Sequence, residues 1–285
     1  MDGARARPIW AFLTGPYALF LLFLLLVPFA NVAMYSLHTY SPTKVFLPEL
    51  TFDNYRKIFD LYYVRLFART LRLGLITTAA CVVLGYPLAY FLARARPRVQ
   101  ALGLFLLVMP LMVSAVIRIF GWIVILGRKG LVNQTLVALG LEPVKLLYNE
   151  TAVVIGLVNI FVPFMVLPIM ASIERVPPNL EEAAQNLGAN WYRMFWRVIL
   201  PLSVPGLISG CLLVYSLSIS AFVTPALMGN ARERMAGQQI YDEVLVSFNW
   251  PSASSLALTL VLLTVALMFG ALFATRHASR RETAR

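Results

Sequence analysis

Long apolar runs alternate with short polar segments along this chain of 285 residues, and the alternation predicts membrane-spanning helices. At ~1.5 Å per residue, about 20 apolar residues cross the ~30 Å hydrocarbon core of a bilayer, and each run is long enough. The six predicted spans lie at about residues 9–37, 70–92, 99–126, 151–173, 201–225 and 252–275. The predicted fold is an all-α membrane protein with six transmembrane helices in a single domain, residues 1–285.

The first run has a second interpretation, as a cleaved signal peptide. It is longer than the apolar region of an ordinary signal peptide, and Ala30 to Ala33 does not form an Ala-x-Ala cleavage site. We therefore interpret it as the first span.

The polar segment between the first two spans contains aromatic residues at helical spacing. Asp53 is a candidate N-cap at its start. Residues 50–68 are therefore predicted to form an external amphipathic helix at the membrane surface, with an apolar face made of Phe52, Tyr55, Phe59, Tyr62 and Leu66.

Composition supports a membrane protein and narrows the chemistry. The chain is 60% hydrophobic and only 13% charged, against ~25% charged residues in ordinary soluble domains. Its net charge of +11 comes from Arg residues beside apolar runs, where they meet lipid headgroups, so no nucleic-acid partner is expected. Cys81 and Cys211 lie inside apolar runs and are predicted to be packing residues. We expect no catalytic residues and no metal site, and the sequence contains no phosphate-binding loop for ATP.

Basic residues indicate which face of the membrane is cytoplasmic. The short connection at residues 94–98 carries three Arg residues, and the tail after Arg276 is also basic. The total count of Lys and Arg is nearly even between the two faces, so the assignment rests on the short basic loop and the basic tail, and on the family resemblance given below for residues 174–200. With six spans, both termini are predicted to be cytoplasmic, and residues 127–150 are predicted to lie outside.

The segment at residues 174–200 is polar and predicts two short helices between the fourth and fifth spans. Asn179 is a candidate N-cap, with Glu182 as its capping-box partner. Gly188 suits a left-handed helix end, and Asn190 can start the second helix, which carries Trp191. One face of the first helix is predicted to contain Leu180, Ala183, Ala184 and Leu187.

This segment resembles the EAA loop of bacterial ABC importer permeases. The residues that carry the resemblance are Glu182, Ala183, Ala184, Gly188, Ile199, Leu200 and Pro201. In that family the loop is cytoplasmic and docks into a groove on the ATPase subunit. The family's usual Ile ten residues after the Gly is Val198 here, and the alternative is an ordinary amphipathic hairpin at the interface. The resemblance implies an ATPase-coupling site made of Leu180, Glu181, Glu182, Ala183, Ala184, Leu187, Gly188 and Trp191.

Further segments, at residues 118–122, 126–133, 222–229 and 239–251, resemble the spermidine/putrescine-type branch of these permeases. The resemblance implies an inner-membrane importer subunit with the type I permease fold, working by alternating access. It implies two ABC ATPase subunits, a second permease subunit that forms a heterodimer, and a periplasmic substrate-binding protein. ATP and Mg²⁺ would be held by the ATPase, with no cofactor on this chain. Members of the branch take up polyamines, opines, aminoalkylphosphonates and other small solutes.

Two spans carry polar residues that are candidates for the substrate pathway. Counting ~1.5 Å per residue from Val99 places Arg118 ~28 Å along the third span, near the outer edge of the hydrocarbon. It is either an interfacial anchor or a pathway residue that binds an anionic group. Trp122 is a candidate in the same segment. Asn159 on the fourth span either hydrogen-bonds the solute or ties helices together.

Three more candidates precede the sixth span. Tyr241, Asp242 and Glu243 are predicted to lie outside the membrane, where a cationic solute would meet the two carboxylates on entry. The alternative is that these are ordinary solvated charges of a loop.

Two other classes of protein compete with a permease subunit. An ion-coupled secondary transporter needs ionisable residues near mid-membrane, and the spans offer only the peripheral Arg118. A non-transporting membrane scaffold needs no capped helix pair for docking. Both classes fit the sequence less well than a permease.

Overall fold

The computed structural model describes residues 6–41, 45–230 and 234–282, and most of these residues are helical. The helices are α1 (Ala6–Ser36), α2 (Asp53–Lys57), α3 (Leu61–Arg94), α4 (Pro97–Val108), α5 (Ala115–Leu126), α6 (Leu131–Ala138), α7 (Glu150–Glu174), α8 (Pro178–Asn186), α9 (Trp191–Met194), α10 (Leu200–Ser220), α11 (Val223–Met228), α12 (Ala236–Leu245) and α13 (Trp250–Glu282). The strands are β1 (His38–Ser41) and β2 (Val45–Leu50).

Five of the described helices, or helix runs, are long and apolar enough to cross a membrane. A sixth span exists if the bent pair Pro97–Met112 and Ala115–Ala138 counts as one. The chain divides into two compact units. Among the described residues, the first unit holds those up to Tyr63 and Gln239–Phe269, and the second holds those from Val64 to Gln238 and from Gly270 to Glu282.

The first unit contains a β-hairpin that the hydrophobic pattern did not predict. β1 and β2 pair antiparallel, with His38 opposite Leu50 and a bulge between His38 and Thr39. The buried side chain of Asn54 in α2 donates hydrogen bonds to the carbonyls of Ser36 (3.0 Å) and His38 (2.9 Å). These bonds hold α2 against the end of α1.

The amphipathic helix predicted over residues 50–68 is wrong in extent. α2 covers only Asp53–Lys57, and Asp53 is its first residue rather than a side-chain cap. The amide of Asp60 bonds to the carbonyl of Lys57, three residues back, and this tight turn separates α2 from the next helix. A new helix, α3, begins at Leu61.

The second unit has a core built on α3, α7 and α10. Leu157, Met165, Ile169 and Ile173 of α7 are fully buried. α7 and α10 run antiparallel and very close, because a Cβ built on Gly210 would lie 2.8 Å from Met165 Sδ. Small residues that let helix backbones approach are typical of packing in membranes, where apolar side chains alone give little drive to associate.

The predicted third span, residues 99–126, is broken. α4 passes into a 3₁₀ turn at Met109–Met112, Val113 and Ser114 are extended, and α5 leaves at an angle of 98°. Pro110 lacks the N–H that would continue the helical ladder, which favours the break. The depth of ~28 Å predicted for Arg118 is therefore wrong, because the count assumed one straight helix.

The fifth span is longer at its start and shorter at its end than predicted. α9 continues through a π-turn at Phe195–Ile199 into α10, so Trp191–Ser220 is one apolar helix. Pro201 cannot donate a backbone hydrogen bond, and the amide of Leu200 bonds instead to Phe195, five residues back. The predicted end at residue 225 is wrong, because Ala221 is extended and α11 begins separately at Val223.

Candidate functional site

The predicted coupling loop, residues 174–200, begins with a proline-initiated helix. α8 starts at Pro178, whose fixed φ and missing N–H suit the first position of a helix. The N-cap residue is Pro177, and no side chain caps this end. The predicted capping box of Asn179 and Glu182 is therefore wrong, because Asn179 already lies inside the first turn.

The end of α8 is a left-handed glycine turn, which confirms the prediction for Gly188. Its φ is +80°, its amide donates to Gln185 O at 2.9 Å, and the amide of Ala189 donates to Ala184 O at 3.0 Å. These two bonds form a Schellman motif. Asn190 then caps α9, also as predicted, since its Oδ1 accepts from the amide of Arg193 at 2.9 Å. The left-handed Gly188, the Schellman bonds and the Asn190 cap therefore fix the corner between α8 and α9.

The structure divides the predicted coupling residues into an outward and an inward set. Leu187 is 89% exposed and Trp191 is 60% exposed, so these large apolar side chains have little cover within the chain. Ala184 instead packs against the buried core of the second unit. Ala183 is exposed and Ala184 is half-buried, so the predicted face is covered on its Ala184 side. We call the outward set the docking face, and its members are Leu180, Glu182, Ala183, Leu187, Gly188 and Trp191.

Glu181 also points inward, and its partners lie on α3. The Nε atom of Arg94 donates to Glu181 Oε1 at 2.8 Å, and the Tyr90 hydroxyl donates to Oε2 at 3.0 Å. Both carboxylate oxygens are thus engaged within the chain. Sequence reasoning did not identify Tyr90, and the 87 and 91 residues that separate the bonded pairs leave no local signal for it.

Arg118 lies on the first turn of α5, and the structure gives it one hydrogen bond. Its Nη2 donates to the carbonyl of Val113 at 3.1 Å, within its own segment. Its Nε and Nη1 are buried without a hydrogen-bond partner among the described residues. Trp122, one turn on, packs against a small apolar cluster that includes Ala152 and Met228. Arg118 therefore retains unused donors.

Asn159 belongs to a layer of buried polar groups that the sequence did not reveal as a set. Within the part of the chain that the structure describes, its Oδ1 is buried without a hydrogen-bond partner, like the side-chain oxygens of Thr77, Tyr215, Ser218 and Gln238. Continuing the register of Met165 against Gly210 along both helices brings Asn159 opposite residues 215–217. Leaving such an atom unpaired costs about 1–3 kcal/mol, so the layer is a place where a hydrogen-bonding partner would stabilise the protein.

The helix α3 completes this layer. A Cβ built on Gly74 would lie 3.1 Å from the Tyr215 ring, which places this turn of α3 beside the same part of α10. Thr70 Oγ1 accepts from the amide of Ala236 at 2.8 Å, which brings the start of α12 to the same level. Hydroxyl and amide residues within apolar runs are the sequence signal that could have indicated these positions.

Tyr241, Asp242 and Glu243 lie on the part of α12 that belongs to the first unit. Tyr241 is exposed, and the two acidic residues are half-buried. Glu243 Oε1 accepts from Gln239 Nε2 at 3.2 Å, and Gln239 Oε1 accepts from the Tyr62 hydroxyl at 2.9 Å. Glu243 is therefore part of a hydrogen-bonded chain within its own unit.

The described residues thus form apolar helices of spanning length and a capped helix corner with exposed apolar side chains. Residues 82–282 match the family described as "Binding-protein-dependent transport system inner membrane component". The chain belongs to this family. It is a permease component of a binding-protein-dependent transport system of the inner membrane.

Two curated relatives carry the name "Spermidine/putrescine transport system permease protein PotB". The protein of Haemophilus influenzae is 38% identical over 251 residues, which cover 87% of this chain and 88% of the relative. That of Escherichia coli is 41% identical over 223 residues, which cover 77% and 81%.

Solved structures of ABC transporters have the same fold. A bacterial alginate ABC transporter, in complex with an alginate pentasaccharide-bound periplasmic protein, gives a TM-score of 0.76 at 21% identity over 99% of this chain and 97% of the matched chain. The inward-facing MetNI methionine ABC transporter gives 0.58 at 19% identity over 75% and 94%. At these identities the likeness concerns the fold alone.

Proposed function

We propose that this chain is one of two permease subunits of an ATP-driven importer for polyamines or related small amines. The substrate class rests on the identity to the spermidine/putrescine permeases. The second permease subunit is a related chain, which makes the pair a heterodimer. A periplasmic binding protein delivers the substrate.

The docking face is the observation that supports coupling to an ATPase. It presents Leu187 and Trp191 to the outside of the chain on a corner fixed by Gly188 and Asn190. Large exposed apolar side chains beside polar ones are typical of interaction sites. We propose that each of two ATPase subunits, which hold the ATP and Mg²⁺, receives such a corner from one permease subunit.

The same proposal gives the chain an orientation. The α8 corner and the basic turn between α3 and α4 face the cytoplasm, together with both termini. The start of α7 at Glu150 and the helix α6 then lie on the outer side. The cytoplasmic side is the inner side of the membrane, and the opposite side is the outer side.

A matched pair of variants tests the docking face. Leu187 and Leu139 are exposed to 89% and 76% and, in the proposed orientation, lie on opposite sides of the membrane. Leu187→Asp should abolish co-purification of the ATPase with the permease pair, whereas Leu139→Asp should leave it unchanged. Equal co-purification with both variants would refute docking at α8.

Uptake tests the substrate class separately. Cells that lack their own polyamine importers and carry the complete transport system should accumulate radiolabelled spermidine or putrescine. An assembled complex that binds ATPase but takes up neither compound would refute the polyamine assignment and leave the permease class intact.

A further inference from the structure

The inner end of α3 is joined to α8 by a cluster of three side chains, Tyr90, Arg94 and Glu181, which we call the brace. Arg94 Nε lies 2.8 Å and Nη2 lies 2.5 Å from Glu181 Oε1. Tyr90 donates to the second oxygen at 3.0 Å. Arg94 Nη2 also donates to the carbonyl of Val176, just beyond the end of α7, at 3.0 Å. One guanidinium therefore connects two spans with the coupling helix.

The brace is sheltered from solvent. The side chains of Arg94 and Glu181 are exposed to only 20% and 12%. Partly buried charge pairs are screened by salt far less than surface pairs. The planar guanidinium also holds its hydrogen-bond donors in fixed directions, whereas the ammonium group of a Lys is a point charge on a flexible stem. The contact is therefore suited to hold the angle between α8 and α3.

A second ionic cluster holds α3 at its outer end. Glu150, the first residue of α7, accepts from Arg69 Nε at 3.1 Å and from Arg72. A carboxylate is favourable at a helix N-terminus because of the helix dipole. The 25 positions from Arg69 to Arg94 correspond to ~37 Å at ~1.5 Å per residue, more than the ~30 Å hydrocarbon core. α3 is thus tied to α7 at both faces of the membrane.

We propose that the brace makes α8 move as one body with α3 and α7, so that movement of the ATPase against α8 reaches the spans. This inference rests on the proposed docking of the ATPase at α8. Arg94 and Tyr90 are positioning residues, because they act through Glu181. Glu181 serves inside the chain rather than as part of the docking face.

The brace and the docking face predict different defects. Arg94→Gln and Glu181→Gln should leave ATPase association within about twofold of wild type. Both should lower the stimulation of ATP hydrolysis by spermidine-loaded binding protein on the order of tenfold, within the range of ordinary coupling energies. The double variant should be no worse than either single one, because both remove the same contact. Arg96→Gln, an exposed Arg in the same turn, is the matched control and should behave as wild type.

Two results would overturn the brace. One is normal stimulation with Arg94→Gln. The other is loss of ATPase association with Glu181→Gln alone, which would place Glu181 in the docking face.

Spin labels test the same inference without any substrate. Labels at Ala95 and Asn186, in a chain whose native cysteines are replaced, report the distance between the end of α3 and α8. With an intact brace the distance distribution should stay unchanged when ATP and vanadate are added to the complex, and Arg94→Gln should broaden it. A wild-type distance that changes through the cycle, or an unchanged distribution in Arg94→Gln, would refute rigid coupling.

The failure of the proposed function would look different. If the wild-type chain binds no ATPase, docking fails, yet the labels in the purified permease still show whether Arg94 holds α8.

Discussion

The corner at Gly188 allows a prediction whose size follows from the structure. A Cβ built on Gly188 would have no neighbour within 4 Å among the described residues, so a Cβ at this position causes no steric clash with them. The cost of a side chain therefore comes from the backbone alone, which is at φ +80°. A left-handed conformation costs ~1–2 kcal/mol for an L-residue with a Cβ, more for a β-branched residue and less for Asn.

This cost should weaken ATPase binding rather than lower the stability of the fold. The corner is exposed, whereas the stability of the second unit comes from the packed faces of α3, α7 and α10. If the whole cost opposes the docking conformation, Gly188→Ala should weaken ATPase binding roughly five- to thirtyfold, since 1.4 kcal/mol is about tenfold. Gly188→Val should weaken it more, and Gly188→Asn should be the mildest.

Titration of the purified ATPase onto the permease pair measures this order, and thermal unfolding in detergent provides the control. The apparent Tm of all three variants should match wild type. Wild-type affinity in Gly188→Val would show that this corner does not couple the two proteins. An Asn variant as weak as the Val variant would show that side-chain size, and not φ, sets the loss.

Three further predictions concern the spans. Gly206→Ala should lower the apparent Tm, because the new Cβ would meet the Pro168 carbonyl, and the buried crowding should cost ~1–3 kcal/mol. Gly121→Ala is the control, because a Cβ at Gly121 would have no described neighbour within 4 Å. Equal Tm values for the two variants would refute close packing at Gly206. An impermeant thiol reagent on intact cells should label a cysteine at Gln134 but not one at Ala95, and the reverse would invert the topology. Arg118→Ala should reduce uptake while insertion stays normal, and unchanged uptake would leave Arg118 as an anchor only.

Local chemistry made part of the fold predictable from sequence. Apolar length predicted α1, α7 and α13 as spans, because a helix that satisfies its own backbone is stable in lipid without reference to other segments. Gly188 and Asn190 were predictable as helix-end residues, because capping acts over two or three positions. Local signals of this kind did not predict the break after Met112 in the third span. It depends on Pro110 and on where α5 packs, and the hydrophobic pattern runs through it unchanged.

Tertiary structure alone decided which side of each helix has a partner. The apolar windows of α1 and α7 are nearly equal in mean hydropathy, 2.2 and 2.5, yet 0% and 56% of their residues are buried within the chain. In a bilayer, lipid and protein interior are equally apolar, so hydrophobicity cannot separate a lipid-facing side from a packed one. The bond of Arg94 to Glu181 and the polar layer around Asn159 likewise depend on which helices meet. That is decided by contacts between segments far apart in the chain, where the local sequence carries no signal.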